Sequence, residues 1–159
     1  MASQIDKIYG NRVRVRVCGL CWQADALLLI NHGGLTEGNF WAPPGGGVEF
    51  GQTAQQTLIR EFREETGLIV AAGRFLVACE FIKKPFHAVE LFFEVHIEGG
   101  RLKTGYDPEM KTEDQIIREA AFVEYAHILQ TSETERHGLF NLFHTPESLK
   151  NASGYLKIG

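Results

Sequence analysis

The stretch from Gly46 to Leu68, GGVEFGQTAQQTLIREFREETGL, constrains the fold and the chemistry of this chain more than any other segment. Thr53 and Gln56 form a capping-box pair, and Gly67 is a left-handed stop signal, so the stretch predicts a loop followed by a helix. At roughly 100° per residue, the helix places its apolar side chains on one face and its carboxylates on the adjoining face. Those carboxylates belong to Glu61, Glu64 and Glu65.

The acidic face of this helix needs a compensating cation. Like charges three or four positions apart on a helix destabilise it by about 0.2–0.5 kcal/mol per pair, and Arg60 is the only basic residue on that face. A divalent metal ion bound by carboxylate oxygens is therefore the expected partner. Taken alone, the segment is also compatible with an ordinary amphipathic helix whose glutamates are solvated.

Length and composition limit the class of protein. With 159 residues and 44% hydrophobic content, we expect one domain spanning residues 1–159. A net charge of −4 and a pI near 5.9 disfavour nucleic-acid polymers and anionic membranes, whereas a small anionic ligand held through a metal remains compatible. The N-terminus lacks the features of a signal peptide, and no stretch approaches the roughly 20 apolar residues of a membrane span. We therefore expect a cytoplasmic location.

The chain has three cysteines, Cys18, Cys21 and Cys79. An odd and small number argues against a disulfide framework. Cys18 and Cys21 have the CxxC spacing, but no second ligand pair completes a zinc site. They also fall in an apparent strand, where residues three apart point to opposite faces. We expect small buried core residues.

The rest of the chain predicts a sheet with helices. Alternating Arg and Val over 12–17 predict a strand with the valines inward and the arginines on the other face. A glycine-rich loop is expected over 31–39 and a non-helical segment over 41–47. Further strands are predicted over 26–30 and near 119–123, with a hairpin formed by about 69–82 and 87–97. Ser132, Glu135 and the spacing of Leu139, Leu142 and Phe143 predict a C-terminal helix over about 132–150, interrupted at Pro146.

The segment from Gly46 to Leu68 resembles the box of the Nudix hydrolase family, and the resemblance covers about 12–130. Every defined position of the box but one matches in register. Gln52 stands where the family has its first glutamate. The matching residues are Gly46, Arg60, Glu61, Phe62, Glu64, Glu65, Gly67 and Leu68.

The resemblance implies an α/β/α sandwich around a mixed β-sheet and a metal-dependent pyrophosphohydrolase. Its substrate would be a nucleoside diphosphate linked to another group, namely a nucleoside triphosphate, ADP-ribose or a nucleotide sugar. Mg²⁺ or Mn²⁺ would be held by the main-chain carbonyl of Gly46 with Glu64 and Glu65. Glu61 would be a further ligand or the general base, and the sequence leaves both roles open.

The departure at Gln52 leaves two hypotheses. Arg60 would orient a carboxylate by a bidentate contact, and glutamine is nearly isosteric with glutamate and keeps an acceptor oxygen. We expect preserved geometry with altered metal affinity or rate, or lost activity. The alternative is a catalytically weak nucleotide-binding or sensor module, which Gln52 alone favours and the carboxylates of Glu61, Glu64 and Glu65 oppose.

Several weaker candidates complete the predicted site, and for each an ordinary surface or core position is an equally compatible interpretation. Arg16 and Lys84 are candidates for phosphate contacts, and Phe81 or Phe86 for stacking on a base. Glu109 and Glu113 are candidates for one more acidic ligand. The apolar strands, with Phe140 and Phe143, are compatible with a homodimer.

Overall fold

The computed structural model describes residues 3–33, 38–106 and 117–159. The helices are α1 Gln4–Tyr9, α2 Ala54–Thr66, α3 Tyr125–Gln130 and α4 Pro146–Lys150, with 3₁₀ helices Glu133–Glu135 and Gly138–Asn141. The strands are β1 Arg12–Leu20, β2 Trp22–Gln23, β3 Ala26–His32, β4 Phe40–Ala42, β5 Gly45–Gly47, β6 Leu68–Lys83, β7 Phe86–Gly100, β8 Ile117–Glu124 and β9 Gly154–Ile158. Among the helices described, none is both long enough and apolar enough to cross a bilayer.

The strands form two sheets. A five-stranded mixed sheet has the order β5-β1-β7-β6-β9, in which the β1–β7 and β6–β9 pairs are parallel and the other pairs are antiparallel. In a four-stranded sheet, β3 pairs antiparallel with β2, β4 and β8. The short strand β5 lies at the edge of the mixed sheet, directly before α2 in the chain.

Buried apolar clusters lie on both faces of the mixed sheet. Neighbouring strand residues point to opposite faces, so Val17 and Cys18 of β1 mark the two sides. Val17 packs in one cluster with Leu58 and Phe62 of α2. Cys18 belongs to the other cluster, together with residues of α3, α4 and the second 3₁₀ helix. Helices on both sides of a mixed sheet confirm the predicted α/β architecture.

Helix α2 and the long hairpin confirm the local signals. Both hydrogen bonds of the Thr53–Gln56 capping box are present, at 3.1 and 3.0 Å. Gly67 ends α2 with φ of 74°, which a residue with a Cβ rarely adopts. Strands β6 and β7 pair along the predicted hairpin.

The prediction of a C-terminal helix over 132–150 is wrong. Ser132 caps a single 3₁₀ turn, and the chain is then extended at Arg136, with φ of −138° and ψ of 153°. There Arg136 forms a bridge to Trp41, a distant partner that local sequence does not reveal. Thr145 caps a new helix in which Pro146 is the first residue, a position where the missing N–H is harmless. Pro146 begins a helix and does not interrupt one.

The prediction that the valines of β1 face inward is wrong for two of them. Val13 and Val15 are 61% and 48% exposed, whereas Val17 is fully buried. Only Val17 belongs to the cluster under α2, so the helix leaves the first half of the strand uncovered. The opposite face, which carries Arg14 and Arg16, is the more enclosed one.

The cysteines are buried free thiols, as predicted. Burial raises the pKa of Cys21 to about 11 and that of Cys79 to about 12. Thiols with such pKa values are protonated at neutral pH and react poorly as nucleophiles.

Candidate active site

Strand β5 contacts helix α2 through its main chain. A Cβ added to Gly46 would lie 2.2 Å from Oε1 of Glu61 and 2.8 Å from its Oε2. A Cβ on Gly45 would lie 2.1 Å from the main-chain oxygen of Val17. A side chain at Gly45 or Gly46 would therefore collide with a neighbour. Glycine at position 46 lets the Glu61 carboxylate approach the main chain of β5. Glycine at position 45 lets β5 approach the main chain of β1 at Val17.

Two carboxylates of α2 are buried beside this strand. Glu61 and Glu65 are only 8% and 5% exposed, and their side chains are in hydrogen-bonding contact. Burial raises the pKa of Glu61 to about 7 against the opposing charge of Arg60. Two buried carboxylates in contact must share either a proton or a cation, because their charges repel each other at low dielectric.

Arg60 connects the remaining acidic groups. Its Nη1 donates to both carboxylate oxygens of Glu64, at 3.2 and 3.1 Å, and lies 3.2 Å from Oε1 of Glu61. Its Nη2 lies 3.5 Å from Oε1 of Glu49. The guanidinium is thus occupied with carboxylates of the loop and the helix.

Gln52 supplies the acceptor that the motif requires. Its Oε1 accepts hydrogen bonds from Thr57 Oγ1 at 3.1 Å and from Arg60 Nε at 3.3 Å. Either bond requires an acceptor oxygen at this position and neither requires a full negative charge. The glutamine therefore keeps the contact to Arg60 that a glutamate would make.

The donor set fits a hard divalent cation. Glu61, Glu65 and the main-chain oxygen of Gly46 are oxygen donors of the kind that Mg²⁺ and Mn²⁺ prefer. Within the described parts of the chain, no group of three or more His, Cys, Asp or Glu side chains surrounds a common metal position. Both carboxylate oxygens of Glu64 instead accept from Arg60 Nη1.

Two of the weaker candidates lie away from the carboxylates. Lys84 is exposed in the turn before β7, beside the start of β1, since Asn11 donates to the main-chain oxygen of Pro85. The strand registers pair Arg12 with Phe86 and Arg16 with Gly47, which separates this turn from β5 by roughly 13 Å along β1. The predicted role of Lys84 therefore lacks support from its position.

Phe81 lies on β6, which β7 separates from β1. It packs against the cluster on the face opposite α2 and pairs with Ile158 of β9. The structure thus places it with the core and the C-terminal strand. Glu109 and Glu113 lie outside the described residues.

Arg16 lies beside the site and has partners that the sequence analysis missed. It is opposite Gly47 in the β1–β5 register, and its Nη1 donates to Oε2 of Glu90 at 2.5 Å. Glu90 also contacts His137. A signal for Glu90 was available, because alternation along β7 places it on the same face as the buried Ala88 and Phe92.

Solved structures share this α/β architecture. A UDP-X diphosphatase superposes with a TM-score of 0.65 and 19% identity, covering 91% of this chain and 67% of that one. A NUDIX hydrolase from Nitrosomonas europaea superposes with a TM-score of 0.64 and 19% identity, covering 87% of this chain and 85% of that one. At this identity the similarity establishes the fold.

Sequence comparison then defines the family. An ADP-ribose pyrophosphatase from Methanocaldococcus jannaschii is 35% identical over 95 residues, which cover 58% of this chain. The match spans about half of that relative, 56% of its length. The NUDIX domain model matches residues 10–142. The chain belongs to the NUDIX family.

Proposed function

We propose that this protein hydrolyses a phosphoanhydride bond in a small nucleoside diphosphate derivative, using a divalent metal ion and water. The carrying observation is the pair of buried carboxylates, Glu61 and Glu65, of which Glu61 lies against the glycine strand β5 and within 3.2 Å of Arg60 Nη1. Family membership and the activities named for an ADP-ribose pyrophosphatase and a UDP-X diphosphatase support the same chemistry.

The metal would be held by oxygen donors of β5 and α2. Nudix hydrolases generally use divalent cations, and the set consists of the Gly46 carbonyl with Glu61, Glu64 and Glu65. When bound, such a cation neutralises phosphate charge and favours ionisation of water. Glu64 would join this set if released from Arg60, whose guanidinium would keep acceptors on Gln52, Glu49 and Glu61.

Glu61 has two candidate roles in this mechanism. Its carboxylate either accepts a proton from the attacking water or binds the metal directly, and both roles use the ionised form. Arg60 and Gln52 orient the carboxylates and do not contact the substrate, which other groups bind. Arg16 is our candidate for a substrate contact, because it carries positive charge beside the strand that holds Gly46.

We propose Mg²⁺ or Mn²⁺ as the metal ion and one of three classes of nucleotide as the substrate. The panel comprises nucleoside triphosphates, ADP-ribose and nucleotide sugars. ADP-ribose is tested first, because the M. jannaschii relative is an ADP-ribose pyrophosphatase. Phosphate release after coupled phosphatase treatment measures turnover of each class with either metal.

The decisive comparison is between wild type and Glu61→Gln. We expect turnover of one substrate class by wild type and a loss of at least about a hundredfold in Glu61→Gln, since general base and metal-ligand roles both contribute at this scale. Glu98→Gln is the matched control, because it makes the same change on an exposed carboxylate at the end of β7. Equal rates in wild type and Glu61→Gln would overturn the assignment.

A nucleotide sensor without turnover is the second candidate. Gln52 is its sole support in the sequence. The hydrogen bond from Arg60 Nε to Gln52 Oε1, at 3.3 Å, supports the hydrolase instead. No turnover of any panel compound, together with thermal stabilisation by a nucleotide, would favour the sensor.

A further inference from the structure

A buried ionic cluster lies on the face of the mixed sheet opposite α2. Glu90 is 3% exposed and lies on β7 in the centre of the sheet. Its Oε2 accepts from Arg16 Nη1 at 2.5 Å and from Cys18 Sγ at 3.5 Å. Its Oε1 lies 2.7 Å from Nε2 of His137. Two segments that are far from β7 in the chain thus converge on one carboxylate.

The histidine in this cluster has a defined orientation. The main-chain N–H of Leu139 donates to Nδ1 of His137 at 3.1 Å. Because Nδ1 accepts, Nε2 carries the hydrogen that Oε1 of Glu90 accepts. The main-chain N–H of His137 also donates to the carbonyl of Trp41 at 2.9 Å, which attaches this segment to β4. The ring therefore fixes one oxygen of Glu90 and leaves the other to Arg16.

Stability alone does not account for this arrangement. A buried ion pair is often no more stabilising than an apolar replacement of the same volume, because desolvation offsets the attraction between the charges. Burial opposes ionisation of Glu90, yet the hydrogen bond from His137 and the charge of Arg16 lower the pKa of Glu90 to about 2. Glu90 is accordingly an anion that holds the Arg16 guanidinium in a fixed place.

Arg16 is the member of the cluster that reaches solvent. Its side chain is 26% exposed, whereas that of Glu90 is 4% exposed. Only Nη1 is engaged with Glu90, and within the described residues Nε has no hydrogen-bond partner. A guanidinium has five N–H donors in a rigid fork that matches phosphate oxygens. Arg16 therefore has donors left for a ligand.

The position of Arg16 suits an anionic substrate. It lies opposite Gly47 on the edge strand, one residue from the main chain against which Glu61 packs. Burial lowers the pKa of Arg16, but the negative groups around it, which include Glu61 and Glu65, raise it overall. Since a diphosphate is repelled by these carboxylates, a fixed cation beside them would offset that repulsion.

We propose that Glu90 and His137 are positioning residues that hold Arg16 as the donor for a phosphate group of the diphosphate substrate. This inference rests on the proposed function, because it assigns a binding role within the same site. The inference assigns diphosphate binding to Arg16, Glu90 and His137, and hydrolysis to the carboxylates of α2.

The test separates KM from kcat in the 159-residue chain with Mg²⁺. The variants are Arg16→Gln, Arg16→Lys and Glu90→Gln, assayed on the substrate class that wild type turns over, with inorganic pyrophosphate as a competitive inhibitor. We expect Arg16→Gln and Glu90→Gln to raise KM and the inhibition constant of pyrophosphate by about tenfold, the scale of one hydrogen bond to a charged group. We expect kcat to stay within about threefold of wild type. Arg16→Lys retains the positive charge but lacks the planar guanidinium that binds two phosphate oxygens. We therefore expect its KM to lie between those of wild type and Arg16→Gln.

Two further variants separate binding from folding. Glu80→Gln is the control, because Glu80 on β6 also pairs with a histidine, His87 on β7, at 2.8 Å. We expect Glu80→Gln to leave KM unchanged. The double variant Arg16→Gln with Glu90→Gln removes both charges and leaves no unpaired ion. Its melting temperature should exceed that of Arg16→Gln while KM remains raised.

The outcomes distinguish this inference from the proposed function. A KM that returns to the wild-type value in the double variant would show that the cluster is merely structural and overturn the inference. The same conclusion follows if all Arg16 and Glu90 variants keep the wild-type KM and inhibition constant while Glu61→Gln is inactive. Absence of turnover in wild type itself would instead refute the proposed function.

Discussion

Gln52 provides a neutral acceptor oxygen at the position where the family motif has a glutamate. Its single amide oxygen accepts from both Thr57 and Arg60. Arg60 already faces the carboxylates of Glu49, Glu61 and Glu64. The contact that matters at Gln52 is therefore a hydrogen bond that aims the guanidinium, and one more negative charge is not needed for it.

This role predicts different effects on kcat for two substitutions at Gln52. Gln52→Ala removes the acceptor, so we expect kcat to fall about tenfold as Arg60 loses one of its constraints. Gln52→Glu keeps the acceptor, so we expect kcat within about threefold of wild type. Steady-state kinetics at saturating Mg²⁺ measure both. Wild-type kcat in Gln52→Ala would show that Arg60 is positioned without Gln52.

Glu90 predicts a pH dependence of stability. Its pKa falls from 4.5 to about 2 on folding, so its contribution is fully present above pH 4.5 and is lost as the pH falls towards 2. Glu90→Gln should unfold at lower urea concentration than wild type at pH 7, and the difference in midpoint should shrink by pH 3. Urea titrations of both proteins at a series of pH values measure this. A pH-independent difference would mean that Glu90 does not ionise more readily in the folded state.

At the scale of elements, strand β5 and helix α2 form the proposed catalytic unit. The strand brings only main-chain atoms towards Glu61, because its residues are glycines. The helix supplies the carboxylates, and its N-terminus is fixed by the Thr53–Gln56 capping box. The unit depends on a close fit between a strand without side chains and one carboxylate.

Neighbouring glycines of β5 should respond differently to alanine. In Gly46→Ala the new methyl group meets the end of the Glu61 side chain at 2.2 Å, which can swing away while the fold is retained. A displacement of this size lowers kcat by on the order of a hundredfold. In Gly47→Ala the nearest atom is Arg14 Nη2 at 3.3 Å, and kcat should change little. Kinetics and melting curves of both variants test this, and similar kcat values would contradict the close fit.

The cap of α2 predicts a linked loss of stability and activity. Thr53→Ala removes the acceptor for the Gln56 N–H, which should lower the free energy of unfolding by about 1 kcal/mol. Thr145→Ala removes the equivalent cap of α4 and should destabilise to a similar extent. Only Thr53→Ala should also reduce kcat, because α2 carries the carboxylates. Urea unfolding and kinetics of the pair measure both effects, and equal kcat values would separate the cap from the site.

What could be predicted from the sequence was local. Helix α2 carries its cap, its apolar stripe and its stop signal within one segment, and the structure confirms all of them. The predicted helix over 132–150 failed because Arg136 is held extended by partners elsewhere, including the carbonyls of Ile128 and Leu129. The contact of Glu90 with His137 joins residues 47 positions apart, and no local pattern encodes such a contact.

At the scale of the whole molecule, metal binding should be coupled to folding. A ligand that binds only the folded state stabilises it by about 2.7 kcal/mol at a hundredfold excess over its dissociation constant. Mg²⁺ should therefore raise the melting temperature of wild type. Glu65→Gln should abolish that increase and should itself melt higher than wild type without metal, because Glu61 and Glu65 no longer repel each other.

Thermal unfolding with and without Mg²⁺ tests this coupling, with Glu98→Gln as the control for charge removal at an exposed position. If Mg²⁺ leaves the melting temperature of wild type unchanged while Glu65→Gln raises it, the two carboxylates simply repel each other. The metal assignment would then fail even though the fold stands.

The residues proposed to act in cleavage and those proposed to bind the diphosphate are distributed differently along the chain. The former lie within one loop and helix, from Gly46 to Glu65, whereas Arg16, Glu90 and His137 come from β1, β7 and the segment after α3. Substrate range can therefore be varied at three distant positions without changing a residue of the proposed metal-binding segment.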